Sequence, residues 1–256
     1  MTDITEEAAL DALFRLHEGL PRQGPGTDGV TRAMLDRLRP YLSPAPRVAD
    51  MGCGSGASTL ALAEALPEAT IVGIDIHPAF VESLTAEAER RGLSGRVSGR
   101  VGDMGALPDP DAAYDLIWAE GSAYLLTFEG ALAAWRPLLP AGGVMALSEI
   151  SWLTDAPSAE AIRYWKSVYP PIGGIVENRA RAAAAGFDVL FAEPLPQVAW
   201  TEGYYAPLEA RIDALRRQGG LTEAMEAAIA ETDQEIALYR AHGREYGYVF
   251  YGLRKR

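Results

Sequence analysis

The stretch that most restricts this chain is Val48-Ala-Asp-Met-Gly-Cys-Gly-Ser-Gly-Ala57. Arg47 to Met51 reads as a short buried parallel strand. Gly52, Gly54 and Gly56 follow at alternate positions, and residues Ala57 to Leu66 are strong helix formers. Strand, glycine-rich turn and helix make the ligand-binding hinge of a doubly wound α/β sheet. The glycines admit positive φ and let a ligand reach the backbone, and the helix start offers unpaired N–H groups. Gly52-x-Gly54-x-x-Ala57 also fits a relaxed dinucleotide fingerprint, which keeps an NAD(P)-dependent oxidoreductase in view.

Three acids around the loop narrow the choice. Asp50 stands just before the first glycine, where a dinucleotide fold usually has an apolar residue. Asp75 closes Thr70-Ile-Val-Gly-Ile-Asp75, a second strand, at about the spacing of a ribose-binding acid. Asp103 follows Arg100-Val-Gly102, where a third strand should end. The set DxGxGxG, then GID, then GDM resembles the class I S-adenosylmethionine-dependent methyltransferases over residues 45–150. The resemblance implies a Rossmann-like, doubly wound, seven-stranded α/β sheet, mostly parallel with the last strand antiparallel. It implies S-adenosylmethionine as cofactor and S-adenosylhomocysteine as product. Asp75 would take the ribose hydroxyls, an acceptor-only task suited to a carboxylate. Ile76 would press on the adenine, and Asp103 would take its amino group with the Met104 N–H facing a ring nitrogen. Asp50 and the backbone of Gly52 and Gly54 would surround the methionine part.

With 256 residues, one large domain is expected rather than two. Residues 1–44 form an N-terminal helical lid, 45–150 the cofactor-binding core, and 151–256 the rest of the sheet with helical cap insertions. The net charge of −12 argues against a nucleic-acid backbone as partner, and Arg254-Lys-Arg256 reads as a solvated tail. Cys53, the single cysteine, excludes an intrachain disulfide and suits a tight turn better than nucleophilic chemistry. No apolar run reaches membrane-spanning length and the N-terminus is acidic, so no membrane insertion and a cytoplasmic location are expected. A homodimer is allowed.

Along the chain, residues 4–18 read as an amphipathic helix with Leu10, Leu13, Phe14 and His17 near one face, opened by an Asp3/Glu6 capping box. Gly19 to Gly26 break it, and a second helix runs from Asp28 through Leu42. Further helices are predicted at 78–91, 128–139, 157–169, 175–185, 206–217 and 221–242. Strands are predicted at 96–101, 114–120, 144–150, 186–192 and 246–251. In the resembled family an antiparallel seventh strand lies between the fifth and sixth, and residues 246–251 are placed to be it.

Methyl transfer from a sulfonium is an in-line displacement, so the protein must align the nucleophile, exclude water and sometimes remove a proton. Glu120, at the end of the fourth strand, is a candidate for both cofactor binding and catalysis. Glu149 and Tyr204 are further catalytic candidates, and Tyr124, Trp152 and Tyr205 are candidates for the substrate wall. A Pro/Gly-bounded loop would close over the methionine end, with Arg22 or Gln23 near the cofactor's carboxylate or the acceptor. His17 serves as a base if the first helix caps the pocket, and His77 is a cofactor contact. No histidine has a partner at metal-ligand spacing, so no metal is expected.

The Asn/Asp-Pro-Pro-Tyr/Phe motif of nucleic-acid amino methyltransferases is absent. A closer resemblance, carried by Leu20-Pro-Arg-Gln-Gly-Pro-Gly26, Trp118-Ala-Glu-Gly121 and Tyr204-Tyr-Ala-Pro-Leu-Glu-Ala-Arg211, is to small-molecule methyltransferases of the ubiquinone and menaquinone group. Trp152, Tyr164, Trp165, Tyr169, Trp200, Tyr204 and Tyr205 give the cap an aromatic character suited to an aromatic or apolar small acceptor. The rivals are the oxidoreductase, opposed by Asp50 and by the lack of a Tyr/Lys hydride-site pair, and a cofactor-binding protein without transferase activity.

Overall fold

The computed structural model describes residues 4–256. Its strands are β1 (Arg47–Met51), β2 (Thr70–Asp75), β3 (Val97–Val101), β4 (Leu116–Ala119), β5 (Val144–Trp152), β6 (Gly173–Gly174), β7 (Phe187–Pro194) and β8 (Tyr246–Lys255). They pair in the order β3-β2-β1-β4-β5-β8-β7, with the two-residue β6 on β5. Neighbours from β3 to β5 are parallel, whereas β8 runs antiparallel to β5 and β7. The antiparallel last strand is therefore where the resemblance put it. Chain order reverses between β1 and β4, which opens a crevice beyond the C-terminal strand ends.

The helices are α1 (Glu6–His17), α2 (Asp28–Leu38), α3 (Ala57–Ala65), α4 (Pro78–Arg90), α5 (Phe128–Trp135), α6 (Ala159–Val168), α7 (Ile175–Ala184), α8 (Gln197–Trp200), α9 (Ala206–Gln218) and α10 (Glu223–His242). Proline sets several limits. Pro78 opens α4 at its first turn. Helix α2 ends at Leu38, short of the expected Leu42, because Pro40 has no N–H for the next helical bond, and a 3-10 turn over Arg39–Tyr41 follows. Between α8 and α9 the chain makes a π-helical turn, Thr201–Tyr205. Such turns are often found at functional sites.

The sheet is covered on both faces. Val48, Ile71, Leu116 and Val144 join Leu35, Leu60 and Leu84 in one core. Ala49, Ile117, Met145 and Leu147 pack on the other face against Phe128, Leu132 and Trp135 of α5. Alternate residues of each strand thus serve opposite layers.

Three expectations change. Helix α1 turns Ala12, Leu16 and His17 inward, toward α9 and α10, and leaves Leu10 49% and Leu13 44% exposed. Its N-cap is Thr5, whose hydroxyl accepts from the Ala8 N–H at 3.2 Å; the Asp3 of the expected capping box lies outside the described residues. The C-terminal basic run is no loose tail. Arg254 and Lys255 extend β8, the Lys255 ammonium donates to the Leu139 carbonyl, and Arg256 reaches the Ala183 carbonyl.

Leu84 of α4 fills the space between β2 and the start of α3. A Cβ on Gly73 would stand 2.4 Å from Leu84 Cδ2 and 3.0 Å from Cys53 Sγ. Gly73→Ala should therefore destabilise the fold by about 1–3 kcal/mol through overpacking. In a Leu84→Ala background that cost should shrink but persist, since Cys53 stays. Urea unfolding of the four proteins of this double-mutant cycle checks the prediction, and additive costs would contradict it.

Candidate active site

Gly52 and Gly54 adopt φ of +68° and +52°, where only glycine is unstrained. Each is also sterically closed: a Cβ on Gly52 would lie 2.4 Å from Ser122 Cβ, and one on Gly54 2.2 Å from Gln23 Oε1. Asp75, at the end of β2, fixes the loop. Its Oδ2 accepts the Gly54 N–H and its Oδ1 the His77 N–H, both at 2.9 Å. Each oxygen keeps lone pairs for a diol. Ile76 is 62% exposed beside it, an apolar residue presented to a ligand face. Asp103 holds the Gly105 N–H through Oδ1 at 2.8 Å, leaving Oδ2 without a protein partner among the described residues. The Met104 sulfur approaches Gly52, and its carbonyl accepts from the Trp135 indole. The His77 ring stacks on Phe14 at 4.3 Å.

Asp50 is fully buried under the loop. Its Oδ2 accepts from the hydroxyls of Ser58 and Thr59 at 2.7 and 2.6 Å, and its Oδ1 has no partner. Burial pushes its pKa up to about 6 against the pull of those two hydroxyls, with Glu120 adding to the rise.

Three side chains tie the segment between α1 and α2 to the sheet and the cap helices. Arg22 donates to Glu120 Oε2 at 2.9 Å and to Asp28 Oδ1 at 2.8 Å. Glu120 also accepts from Thr31 at 2.6 Å and from the Trp118 indole at 2.9 Å. Gln23 Oε1 takes the N–H and hydroxyl of Ser55, while its Nε2 donates to the Leu20 carbonyl. His17 completes the set, with Nδ1 on the Leu13 carbonyl and Nε2 on the Tyr204 hydroxyl, each at 2.9 Å. A carbonyl only accepts, so Nδ1 carries the proton and Nε2 receives the one from Tyr204. Burial lowers the His17 pKa below its ordinary value. A cleft of about 570 Å³ lies under the same segment, between Arg22, Ser55, Arg91 and Glu202; none of Asp50, Asp75 and Asp103 lines it.

A second group of candidate residues is built of rings. Tyr204 and Tyr205 come from the π turn, and Tyr248 of β8 lies against Gly121. Tyr205 donates to Glu235 at 2.8 Å. Trp152 meets Tyr246 edge to face at 6.4 Å, and Tyr124 meets Tyr169 at 6.1 Å. Glu149, three residues short of the end of β5, is buried. Burial pushes its pKa up to about 8 although the Tyr169 hydroxyl donates to it, and its Oε2 has no partner. More than a third of Tyr124 is accessible, yet its hydroxyl lies deep enough for burial to push it to about 12.

Glu235 is a site residue that the sequence alone did not single out, because α10 is rich in glutamate. The available signal is its place between Thr232 and Tyr239, three and four residues away on the buried stripe of that helix. No helix among the described residues is long and apolar enough to cross a membrane.

Comparison with known proteins agrees with this geometry. A family model described as a methyltransferase domain matches residues 48–143. The chain is 29% identical to the 27-O-demethylrifamycin SV methyltransferase of Amycolatopsis mediterranei, covering 96% of this chain and 92% of that one. It is 31% identical to the demethylmenaquinone methyltransferase of Thermus thermophilus, over 57% of this chain and 76% of that one. Several other curated relatives are matched over only about half their length. The crystal structure of a SAM-dependent methyltransferase from Geobacter sulfurreducens in complex with S-adenosyl-L-homocysteine superposes with a TM-score of 0.81 over 100% of both chains, at 23% identity.

Two predictions come from the buried charges. Arg22→Ala leaves Glu120 uncompensated and should cost about 3 kcal/mol, with faster proteolysis near residue 22. Adding Glu120→Gln should restore part of that loss, as thermal unfolding of both variants checks. Glu149 binds its proton more tightly folded, at about 8, than unfolded, at 4.5. The fold thus holds a proton there that the unfolded chain has released between those pH values. Its stabilising contribution is complete below the unfolded value and is lost as pH rises through 8. Glu149→Gln should flatten the fall in melting temperature across that window, and an unchanged slope would refute the assignment.

Proposed function

Since the chain belongs to the class I S-adenosylmethionine-dependent methyltransferases, we propose that it methylates a hydroxyl group on an apolar or aromatic small molecule held under the helical cap. The residues present fit the cofactor. A diol-ready Asp75, an exposed Ile76 and an Asp103 with one free oxygen suit adenosine, and two glycines at positive φ that no side chain could replace leave the backbone open to the methionine part. Asp50 has an orphaned buried oxygen beneath the methionine end. We read Arg22 and Glu120 as the clasp that keeps the lid over this end, with Gln23 holding the loop.

When bound, the cofactor supplies a sulfonium methyl group: its S–C bond breaks as the acceptor O–C bond forms, and a neutral thioether leaves. The hydroxyl proton has to go elsewhere, and the single observation that carries this reading is the 2.9 Å bond between Tyr204 and His17. The Tyr204 oxygen keeps lone pairs for an acceptor hydroxyl while its own proton points to Nε2. A proton arriving on the Tyr204 oxygen is passed to His17 as the tyrosine gives up its own, so the tyrosine stays neutral. Burial favours this neutral tyrosine, since it raises the Tyr204 pKa far above its ordinary value. It also keeps His17 neutral and able to accept. Tyr124, Trp152 and Tyr205 would shape the apolar walls, and the closed lid would exclude water. The rifamycin-directed relative, matched over nearly its whole length, acts on a molecule whose name places the missing methyl on oxygen. That supports a hydroxyl over a carbon acceptor.

A labelled-methyl transfer screen over phenols, quinols and alcohols should find turnover with hydroxyl compounds. With such an acceptor, Tyr204→Phe should lower kcat on the order of a hundredfold while leaving S-adenosylhomocysteine affinity unchanged. The rate of the native enzyme should fall on the acid side with a midpoint below 6.5, and His17→Ala should lose that limb. An unaltered pH profile in His17→Ala would remove the relay.

A further inference from the structure

Glu235 is a carboxylate that the proposed chemistry does not use. One oxygen accepts from Tyr205 at 2.8 Å, the other has no hydrogen-bond partner, and no Lys, Arg or His among the described residues forms an ion pair with it. Two other acids of these helices are paired, Asp233 with Arg216 and Glu209 with Arg240. Burial raises the Glu235 carboxyl above its usual range, yet the residue keeps accessible surface. A carboxylate that is crowded yet partly accessible can meet a ligand group.

A chain of buried tyrosines stands beside it. Ring centroids run from Tyr204 to Tyr205 at 5.2 Å, to Tyr239 at 5.4 Å and to Tyr246 at 6.0 Å. The charge of Glu235 raises the hydroxyl pKa of Tyr164, Tyr204 and Tyr246 as well as that of its bonded Tyr205, so it sits among all four. The Tyr246 hydroxyl is itself buried without a partner. An ionised carboxylate only accepts hydrogen bonds, a tyrosine oxygen can accept another, and aromatic faces present negative charge. A carboxylate acceptor, tyrosine oxygens and ring faces suit one class of ligand group, a protonated amine.

We propose that Glu235, with Tyr205 and Tyr246, anchors a protonated amine on the methyl acceptor, and that the acceptor is therefore a hydroxylated molecule carrying a basic nitrogen. This rests on the reading that the acceptor lies under the cap beside Tyr204. A bound ammonium would keep Glu235 ionised and offset its desolvation, while an anionic group in that place would meet like charge.

The test uses three probes of one shape: tyramine, 4-ethylphenol and 3-(4-hydroxyphenyl)propionate. Each is titrated calorimetrically into the full chain at neutral pH, with and without saturating S-adenosylhomocysteine. Tyramine should bind about tenfold more tightly than 4-ethylphenol, and the propionate no better than 4-ethylphenol. Glu235→Gln, which keeps the size and the bond to Tyr205, should bring tyramine within about twofold of 4-ethylphenol without changing S-adenosylhomocysteine affinity. Equal binding of tyramine and 4-ethylphenol by the native chain, or a preference for the propionate, would overturn the proposal. So would a tyramine preference that survives in Glu235→Gln. S-adenosylhomocysteine is titrated separately, so its failure to bind would count against the transferase reading, while the tyramine comparison still decides the anchor.

Discussion

One carboxylate holds the N-terminal segment to the sheet. Glu120 stands at the end of β4, beside the point where strand order reverses, and collects Arg22 from the lid, Thr31 from α2 and the Trp118 indole from its own strand. A buried ion pair is seldom stabilising in net terms, because both ions are stripped of water. This one offsets that cost with hydrogen bonds from three donors, and Arg22 finds a second acid in Asp28. The pair therefore does less for the net stability of the sheet than for the register of the lid. Gly26 confirms how tight the fit is, since a Cβ there would lie 2.9 Å from Glu120 Oε2. Closing the lid any further would need this carboxylate to move, and opening it would strand a charge.

The two halves of the crevice obey different physics. On the cofactor side, backbone N–H groups, positive-φ glycines and a carboxylate that holds two amides form a rigid cradle whose polar groups are mostly satisfied before a ligand arrives. On the side proposed for the acceptor, Glu149 Oε2, the Tyr246 hydroxyl and the Trp165 indole are buried without partners. Each such group costs on the order of 1–3 kcal/mol if no water or ligand meets it. Asp50 Oδ1 and the Nε atoms of Arg100, Arg136 and Arg211 are bare as well, so the deficit is not confined to this side, but here a ligand would meet it.

What the chain disclosed before folding followed the range of the forces involved. The glycine loop, the acids after β2 and β3, and the strand–helix alternation are local constraints of φ, turn chemistry and period. Each could be read from adjacent residues. The inward face of α1 could not, because the residues that turn in are Ala12, Leu16 and His17, and an alanine or histidine carries little hydrophobic signal beside Leu10 and Leu13. The basic C-terminal run looked solvated because charge suggests exposure, yet β8 continues through it by pairing with Phe187 and Asp188. The His17–Tyr204 bond joins residues 187 positions apart, and the Tyr205–Glu235 bond joins two different helical segments of the cap. No pattern of spacing announces such pairs; only packing of the cap on the sheet makes them.

The same packing links the halves mechanically. The π turn that presents Tyr204 also presses Gly203 on the lid, where a Cβ would stand 2.3 Å from the Gly26 carbonyl oxygen, and the Gly26 N–H is bonded to Ala199 just before that turn. Within seven residues, the lid therefore touches the acceptor side through His17, the β4 carboxylate through Arg22 and the glycine loop through Gln23. An in-line displacement tolerates little error in the angle between donor and acceptor. A single short segment that registers against both sides converts that requirement into a packing problem, because neither side can shift without disturbing the other's contacts with the lid. The cap can then vary its interior rings and charges to suit an acceptor while the alignment is held from outside it. Acceptor identity would accordingly be written in residues such as Glu235, which touch neither the lid nor the glycine loop.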